Sequence, residues 1–448
     1  MGRTYIVDDL VEKYLTNLHT VNAAYVTGLL IGQISGQKDY VVLAAQTPQR
    51  EKEAEGSGAN GGKPSSLDDI NVQWVSEHAR QVSQMLPGGL SVLGVFLIHS
   101  PELSKEAQNT LRRVIFGIDK RMSKGRLWQL TEEDASERVM LQICSVTKKA
   151  ICRTFDIRDP KSSAKPAEWK YQPGVSTSWQ ALQCSVELSL GFPISEMTSA
   201  NMDKCTKEAL QRWARQIQTG LCLINGKRMP DNFDLTVGQK KSSKMAQPVL
   251  PAQILIPAAG MGSEQRSTAL VQACSGFLTV KGTVHCRAYV HTNKPRAWQA
   301  MQAIKRDVMD TVSCRTEMLF EELMNESDSD RGGVSGRQPL PMRVFATVPG
   351  ATFCVCDYMF PDESTADVRE RFKEMLDCDI PEETMDTSQE TTVEKQSSIS
   401  EEHSCNATPD IPVGAPKDQK SLRPYIGAAM AAGIALLATA VSLLYLGD

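Results

Sequence analysis

From Tyr425 to Leu446 the chain runs for 22 residues without a charge, almost all of them Ala, Leu, Ile, Val, Gly and Met. As a helix this run would span about 33 Å, enough to cross a hydrocarbon core of about 30 Å. It has no polar face, which argues against a surface helix packed on a soluble core. Lys417, Lys420 and Arg423 precede it, and Gly447 and Asp448 follow. Cationic residues on the N-terminal flank place that side in the cytosol. The expectation is a membrane tail anchor over 421–446, with Tyr425 and Leu446 bounding the charge-free run and a cytosolic head before it. The N-terminus shows no apolar h-region, so no secretory signal is expected. Ile6 stands where a myristoylation motif needs Ser or Thr.

The mean hydropathy of -0.28 hides this segment, because an opposite one offsets it. Residues 379–418 are rich in Glu, Asp, Ser, Thr and Pro and poor in apolar residues. Such a stretch cannot bury enough surface to offset ordering entropy and reads as a disordered acidic linker, 379–420. The remaining head is long enough for about two domains. A net charge of -4 and a pI near 6.0 exclude a nucleic-acid binder that works through a basic surface. The 12 cysteines form no Cys-x-x-Cys pair. Cys354 and Cys356 lie on one strand face but are too few for a zinc site. Cys144, Cys184, Cys274 and Cys286 sit in apolar stretches and read as buried thiols of a reducing compartment. No metal and no cofactor is expected.

Apolar periodicity divides the head into two mixed α/β parts. In residues 1–157, strands are expected near 24–34 and 39–46, and a helix capped by Asp68 or Asp69 runs to Leu86. Pro87-Gly88-Gly89 stops that helix. Leu90 to Ile98 reads as a central strand buried on both faces. A helix follows with Leu103, Ala107, Leu111, Ile115, Ile118 and Met122 inward, then a hairpin near 138–157. Gly56-x-Gly58-x-x-Gly61 lacks the strand and helix of a dinucleotide site and reads as a loop. Residues 159–174 read as a polar connector. The second part, 158–378, is expected to hold a strand near 179–192, a helix near 203–220 and two strands near 268–292. A long helix over 296–325 follows, then strands near 342–348 and 352–359 and a helix near 363–377.

Val26-Thr27-Gly28-Leu29-Leu30-Ile31-Gly32 and Leu93-Gly94-Val95-Phe96-Leu97-Ile98-His99-Ser100 are similar to two core strands of MPN domains. Active members bind zinc through two His and an Asp, with a Glu as general base. Residue by residue, Tyr25 stands at the glutamate position, Leu97 at the first ligand and His99 at the second. The expected Ser and Asp fall on Ala107 and Thr110. Zinc catalysis needs three protein ligands and a base, so the resemblance implies a catalytically inactive MPN-like scaffold with a structural His99. Such domains commonly pair as adapters.

The opening Met1-Gly2-Arg3-Thr4-Tyr5-Ile6-Val7 resembles that of the vertebrate ODR-four proteins. So do Met85-Leu86-Pro87-Gly88-Gly89-Leu90, Asp159-Pro160-Lys161-Ser162-Ser163-Ala164, Thr292-Asn293-Lys294-Pro295 and the apolar end. The resemblance covers nearly the full length. It implies a non-enzymatic, tail-anchored adapter of the endoplasmic reticulum membrane. The implied cargo is a subset of G-protein-coupled receptors. The implied partner is the UFM-specific cysteine protease, held through pairing of MPN-like domains. Two other readings compete. A hydrolase could use Cys286 beside His285, or Cys314, although neighbours in a strand point to opposite faces. Alternatively the anchor itself could recognise cargo, since Gly427 and Ala431 have small-xxx-small spacing.

Overall fold

The computed structural model describes residues 2–18, 25–36, 38–49, 66–132, 134–194, 199–237, 248–256, 276–325 and 340–390. The expected tail anchor, the Gly56/Gly58/Gly61 motif, Cys274 and the expected linker beyond Glu390 lie outside the described residues. No helix among the described residues is long and apolar enough to cross a membrane.

The chain opens with β1 (Thr4–Asp8) and α1 (Asp9–Asn17), two elements without an expected counterpart. Asp8 caps the helix by accepting from Leu10 N. β2 (Tyr25–Gln33) and β3 (Lys38–Gln46) then pair antiparallel, with a register shift at Ile31/Gly32. A Cβ on Gly32 would meet Tyr40 O at 1.8 Å, so the bulge requires glycine there. The helix expected from Asp68 begins later. Ser66 and Asp69 instead close a capping box on one 3-10 turn, and Asn71 caps α2 (Val72–Gln84) by accepting from Trp74 N. β4 (Ser91–His99) is buried at every residue after its first, as its apolar run predicts. α3 (Ser104–Ser123), β5 (Glu137–Cys144) and β6 (Ala150–Asp156) complete the expected series.

The stretch read as a connector belongs to this sheet. β7 (Lys165–Pro166) pairs with β6, and β8 (Glu168–Gln172) pairs parallel with β1. Only Ala167 separates them, so one extended segment joins both edges of the order β7-β6-β5-β4-β2-β3-β1-β8 and closes the sheet on itself. Its polar composition misled because an edge segment exposes most of its side chains. Inside the closed sheet Tyr5, Val7, Leu30, Phe96, Ile98 and Leu141 pack against Val11 and Leu15 of α1. Outside it, Leu29, Val95, Leu97 and Met140 pack against α2 and α3. Arg3 adds a polar lock, binding Asp39 of β3 at 2.7 Å and Glu137 of β5 at 3.2 Å.

The later chain forms β9 (Trp179–Ile194), α4 (Ser199–Thr219), β10 (Leu221–Ile224), β11 (Leu250–Leu255), β12 (Gly276–His291) and α5 (Ala297–Asn325). β9 and β12 share a 16-residue antiparallel ladder, and the second core lies between this sheet and the two helices. Next come β13 (Met342–Thr347), β14 (Cys354–Met359) and α6 (Thr365–Leu376), followed by β15 (Met385–Asp386), which pairs with β13. The first core takes in Val344, Val355, Val368 and Phe372 from these elements. The expected division at 157/158 is therefore not where contacts divide. All the described residues fall in one compact unit.

A buried ion-pair system joins the two parts of the head. Asp307 of α5 takes both Nη atoms of Arg343, at 2.7 and 2.9 Å. It also accepts from Gly88 N at 2.8 Å and Arg287 N at 2.9 Å. Glu390 repeats the scheme. It accepts from Arg315 at 2.6 and 2.8 Å, from His285 N at 2.7 Å and from Arg343 N at 3.0 Å. Glu390 lies in the segment expected to be a disordered linker from 379. That expectation is corrected for 379–390: Ile380 is fully buried, and β15 and Glu390 are part of the fold. The reason is specific, since a buried guanidinium requires a carboxylate and the chain supplies it from beyond β15.

Removing one member of a buried pair strands the other charge at a cost of about 3–5 kcal/mol. Glu390→Ala is expected to lose that much stability in denaturant titration of the full chain, and Arg315→Met in the same background to recover part of it.

Candidate functional site

Antiparallel pairing sets Tyr25 of β2 directly opposite His99 of β4, and Thr27 opposite Leu97. Leu97 and His99 are two apart, so they share the face toward α3. On that helix Ala107 and Thr110 are buried one turn apart. Leu97 and Ala107 belong to one apolar cluster, with Tyr25 packed against it. Leu97, Ala107 and Tyr25 thus meet in one cluster, and His99 is the cross-strand partner of Tyr25. Leu97 and Ala107 offer no lone pair, and Thr110 is 3% exposed. His99 is also 3% exposed, and its Nδ1 lies 2.7 Å from Ser100 O. Among the described residues no group of three or more His, Cys, Asp or Glu is disposed to hold a metal ion. The parallel partner of His99 is Cys144, the last residue of β5, so Tyr25, His99 and Cys144 form one row across three strands. The expectation that Cys144 is a buried thiol is corrected: it is only partly buried, because it ends β5 where the chain turns back through Lys148 and Lys149.

The other histidines and thiols define what chemistry the head can support. His285 Nδ1 lies 3.1 Å from Ser185 Oγ, its partner across β9 and β12. It therefore faces away from Cys286, whose thiol burial pushes well above the usual range. Cys314 is raised in the same way. Buried thiols with raised pKa are poor nucleophiles. His78 is bonded to Met375 O at 2.8 Å. His291 stacks on Tyr40 with centroids 3.6 Å apart, and its Nδ1 accepts from Asn293 N. Cys144 is the contrast. Thr147 donates to its sulfur, and this holds the thiol below its ordinary value.

Missed from the sequence altogether were Asp307, Arg315, Arg343 and Glu390. The available signal was Asp307 and Arg315 lying within a helix stretch whose neighbours Ile304, Val308 and Val312 are buried. A charge inside an apolar segment announces a buried partner, but its identity is set by tertiary structure.

Two measurements follow from these environments. Iodoacetamide at neutral pH is expected to modify Cys144 before Cys152, Cys184, Cys286, Cys314, Cys356 and Cys378, all raised by burial; peptide mapping checks the order. Burial also pushes His78 and His291 down to about 4. The native state favours their neutral forms, while an unfolded imidazole titrates near 6.5. The stabilisation is therefore full above about pH 6.5 and lost as pH falls toward 4, by about 3 kcal/mol per histidine. Denaturation midpoints at pH 7, 5 and 4 should show the decline, and His291→Gln should flatten it.

Comparison with known proteins places the chain. Residues 28–387 match the profile of the odorant response abnormal 4-like family. A human protein named Protein odr-4 homolog is 45% identical over 458 residues, covering 100% of both chains. The Odorant response abnormal protein 4 of Caenorhabditis elegans is 20% identical over 364 residues, covering 80% of this chain and 73% of that one. Among solved structures, UfSP from C. elegans is matched at 9% identity and a TM-score of 0.39, over 84% of this chain and 57% of that one. A score this low carries no argument about fold or function. The sequence relationship does: the chain belongs to the odorant response abnormal 4-like family.

Proposed function

We propose that this protein is a non-enzymatic, tail-anchored adapter that promotes the trafficking of a subset of G-protein-coupled receptors from the endoplasmic reticulum and recruits the UFM-specific cysteine protease to that membrane. Family membership supports the trafficking part, since one relative is named for an odorant response. The observation that carries the adapter part is the packing at β4 and α3, where Leu97, matched to a metal ligand in the MPN resemblance, lies with Ala107 in an apolar core. An MPN-like scaffold emptied of chemistry keeps a surface for pairing. The charge-free run from Tyr425 to Leu446 supports a single span with the head in the cytosol. Holding a head close to a membrane raises the local concentration of whatever it carries there.

The test is affinity purification of the full chain from solubilised membranes, beside a chain ending at Lys420. The full chain is expected to recover the protease and receptor cargo in the microsomal fraction. The shortened chain should keep the protease but lose the membrane and the cargo. Recovery of neither from the full chain would sink the reading.

A further inference from the structure

The β5–β6 hairpin carries two residues that its own geometry does not call for. Cys144 N donates to Lys149 O at 3.1 Å, and Lys148 N donates back to Cys144 O at 2.9 Å. Thr147 N donates to Cys144 Sγ at 3.4 Å, and Ser145 N ties the turn to His99 O at 2.9 Å. None of these bonds uses the side chain of Val146, Lys148 or Lys149. Lys148 nevertheless sits at φ 55°, in the left-handed region that favours Gly and Asn. Val146 stands 72% exposed in a turn, where Gly, Pro, Asn, Asp and Ser are favoured. Every residue from Val146 to Ile151 is exposed. Among the described residues, neither Lys148 nor Lys149 is paired with a carboxylate.

An apolar side chain and two ammonium groups within four residues restrict what can cover this tip. A nucleic acid or an acidic peptide would match the lysines and leave Val146 in water. An apolar groove would take Val146 but strip water from two charges, at a cost that one valine does not offset. A bilayer interface suits both. Its hydrocarbon boundary takes the valine, and the lysine stems reach back so that their ammonium groups stay among the headgroup phosphates. The cytosolic leaflet also carries anionic lipid, which attracts basic residues within a Debye length. Because the turn is already bonded into one shape, docking orders little backbone.

We infer that the 145–149 turn is a membrane-docking tip, which seats the head on an anionic lipid surface through Val146, Lys148 and Lys149. The inference rests on the expected tail anchor, since one valine and two lysines attract weakly and act only where the surface is already close. The linker expected before the anchor would not by itself select a face of the head. The tip would then fix which face turns to the bilayer and which turns to the cytosol.

The test inserts the full chain into nanodiscs of phosphatidylcholine, with or without phosphatidylserine, and follows hydrogen exchange by mass spectrometry. Entry into the discs reads the anchor, and exchange in peptides covering 145–151 reads the tip. Exchange at the tip is expected to slow by about fivefold or more when phosphatidylserine is present, and by more than elsewhere in the head. Lys148→Asn together with Lys149→Gln should abolish the slowing without lowering the unfolding temperature, because Asn accepts the left-handed position and neither lysine is paired. Val146→Ser should weaken it. A chain that does not enter the discs would overturn the anchor and the tip together. Entry with equal exchange in both lipids would overturn the tip alone. So would slowing that survives the double substitution, or slowing spread evenly over the head. Equal slowing by polyglutamate added to phosphatidylcholine discs would overturn it in favour of an acidic protein partner.

Discussion

Two buried carboxylates organise the head of this protein. Asp307 and Glu390 each accept from one guanidinium and from two backbone N–H groups. The four side chains come from α5, β13 and the segment after β15. The backbone donors come from the Gly88 turn, β12 and β13. Each carboxylate thus ties elements that are remote in sequence to a single point. Burying such ions costs several kcal/mol each, and the fold recovers it only because nearly every lone pair is matched. The Pro87-Gly88-Gly89 turn shows how tight the geometry is. Gly88 N reaches Asp307, and a Cβ on Gly88 would sit 2.2 Å from Ala303 O. Around the turn, Gln33 bonds Tyr289 O and His291 N, and Cys356 N bonds Met85 O. The early strands and the later chain are therefore one cooperative structure.

This construction bears on the proposed role. The β4–α3 packing is an apolar interface, with His99 bonded locally and Leu97 buried. Most described thiols are held protonated by burial, and the buried histidines contact carbonyls, hydroxyls or rings. Because Glu390 is clamped inside the core, the chain leaving toward the acidic segment starts from a fixed point.

The elements legible beforehand share one property: their signal is local. β4 announced itself as a continuous apolar run. α3 and α5 showed apolar stripes, and the strand-strand-helix-strand-helix order around them held. The misread segments were those whose structure depends on distant partners. β8 is a mostly exposed strand with a polar sequence, and it is ordered by pairing with β1. β15 is two residues long and exists because β13 has a free edge. The shift of the helix start from Asp68 to Val72 came from competition between two caps, Ser66 and Asn71, that composition alone does not rank.

By itself the sequence determined the charge-free run from Tyr425 to Leu446, the acidic stretch before it and the mixed α/β character of the head. These follow from residue identity and short-range periodicity, which need no knowledge of where the chain returns. Only the tertiary structure decided that the sheet closes through residues 165–172, that residues 379–390 belong to the fold, and that Asp307, Arg315, Arg343 and Glu390 meet. Hydrogen bonds and ion pairs between residues tens to hundreds of positions apart leave no periodic trace in the chain. They become visible only when the backbone has brought the partners to within about 3 Å.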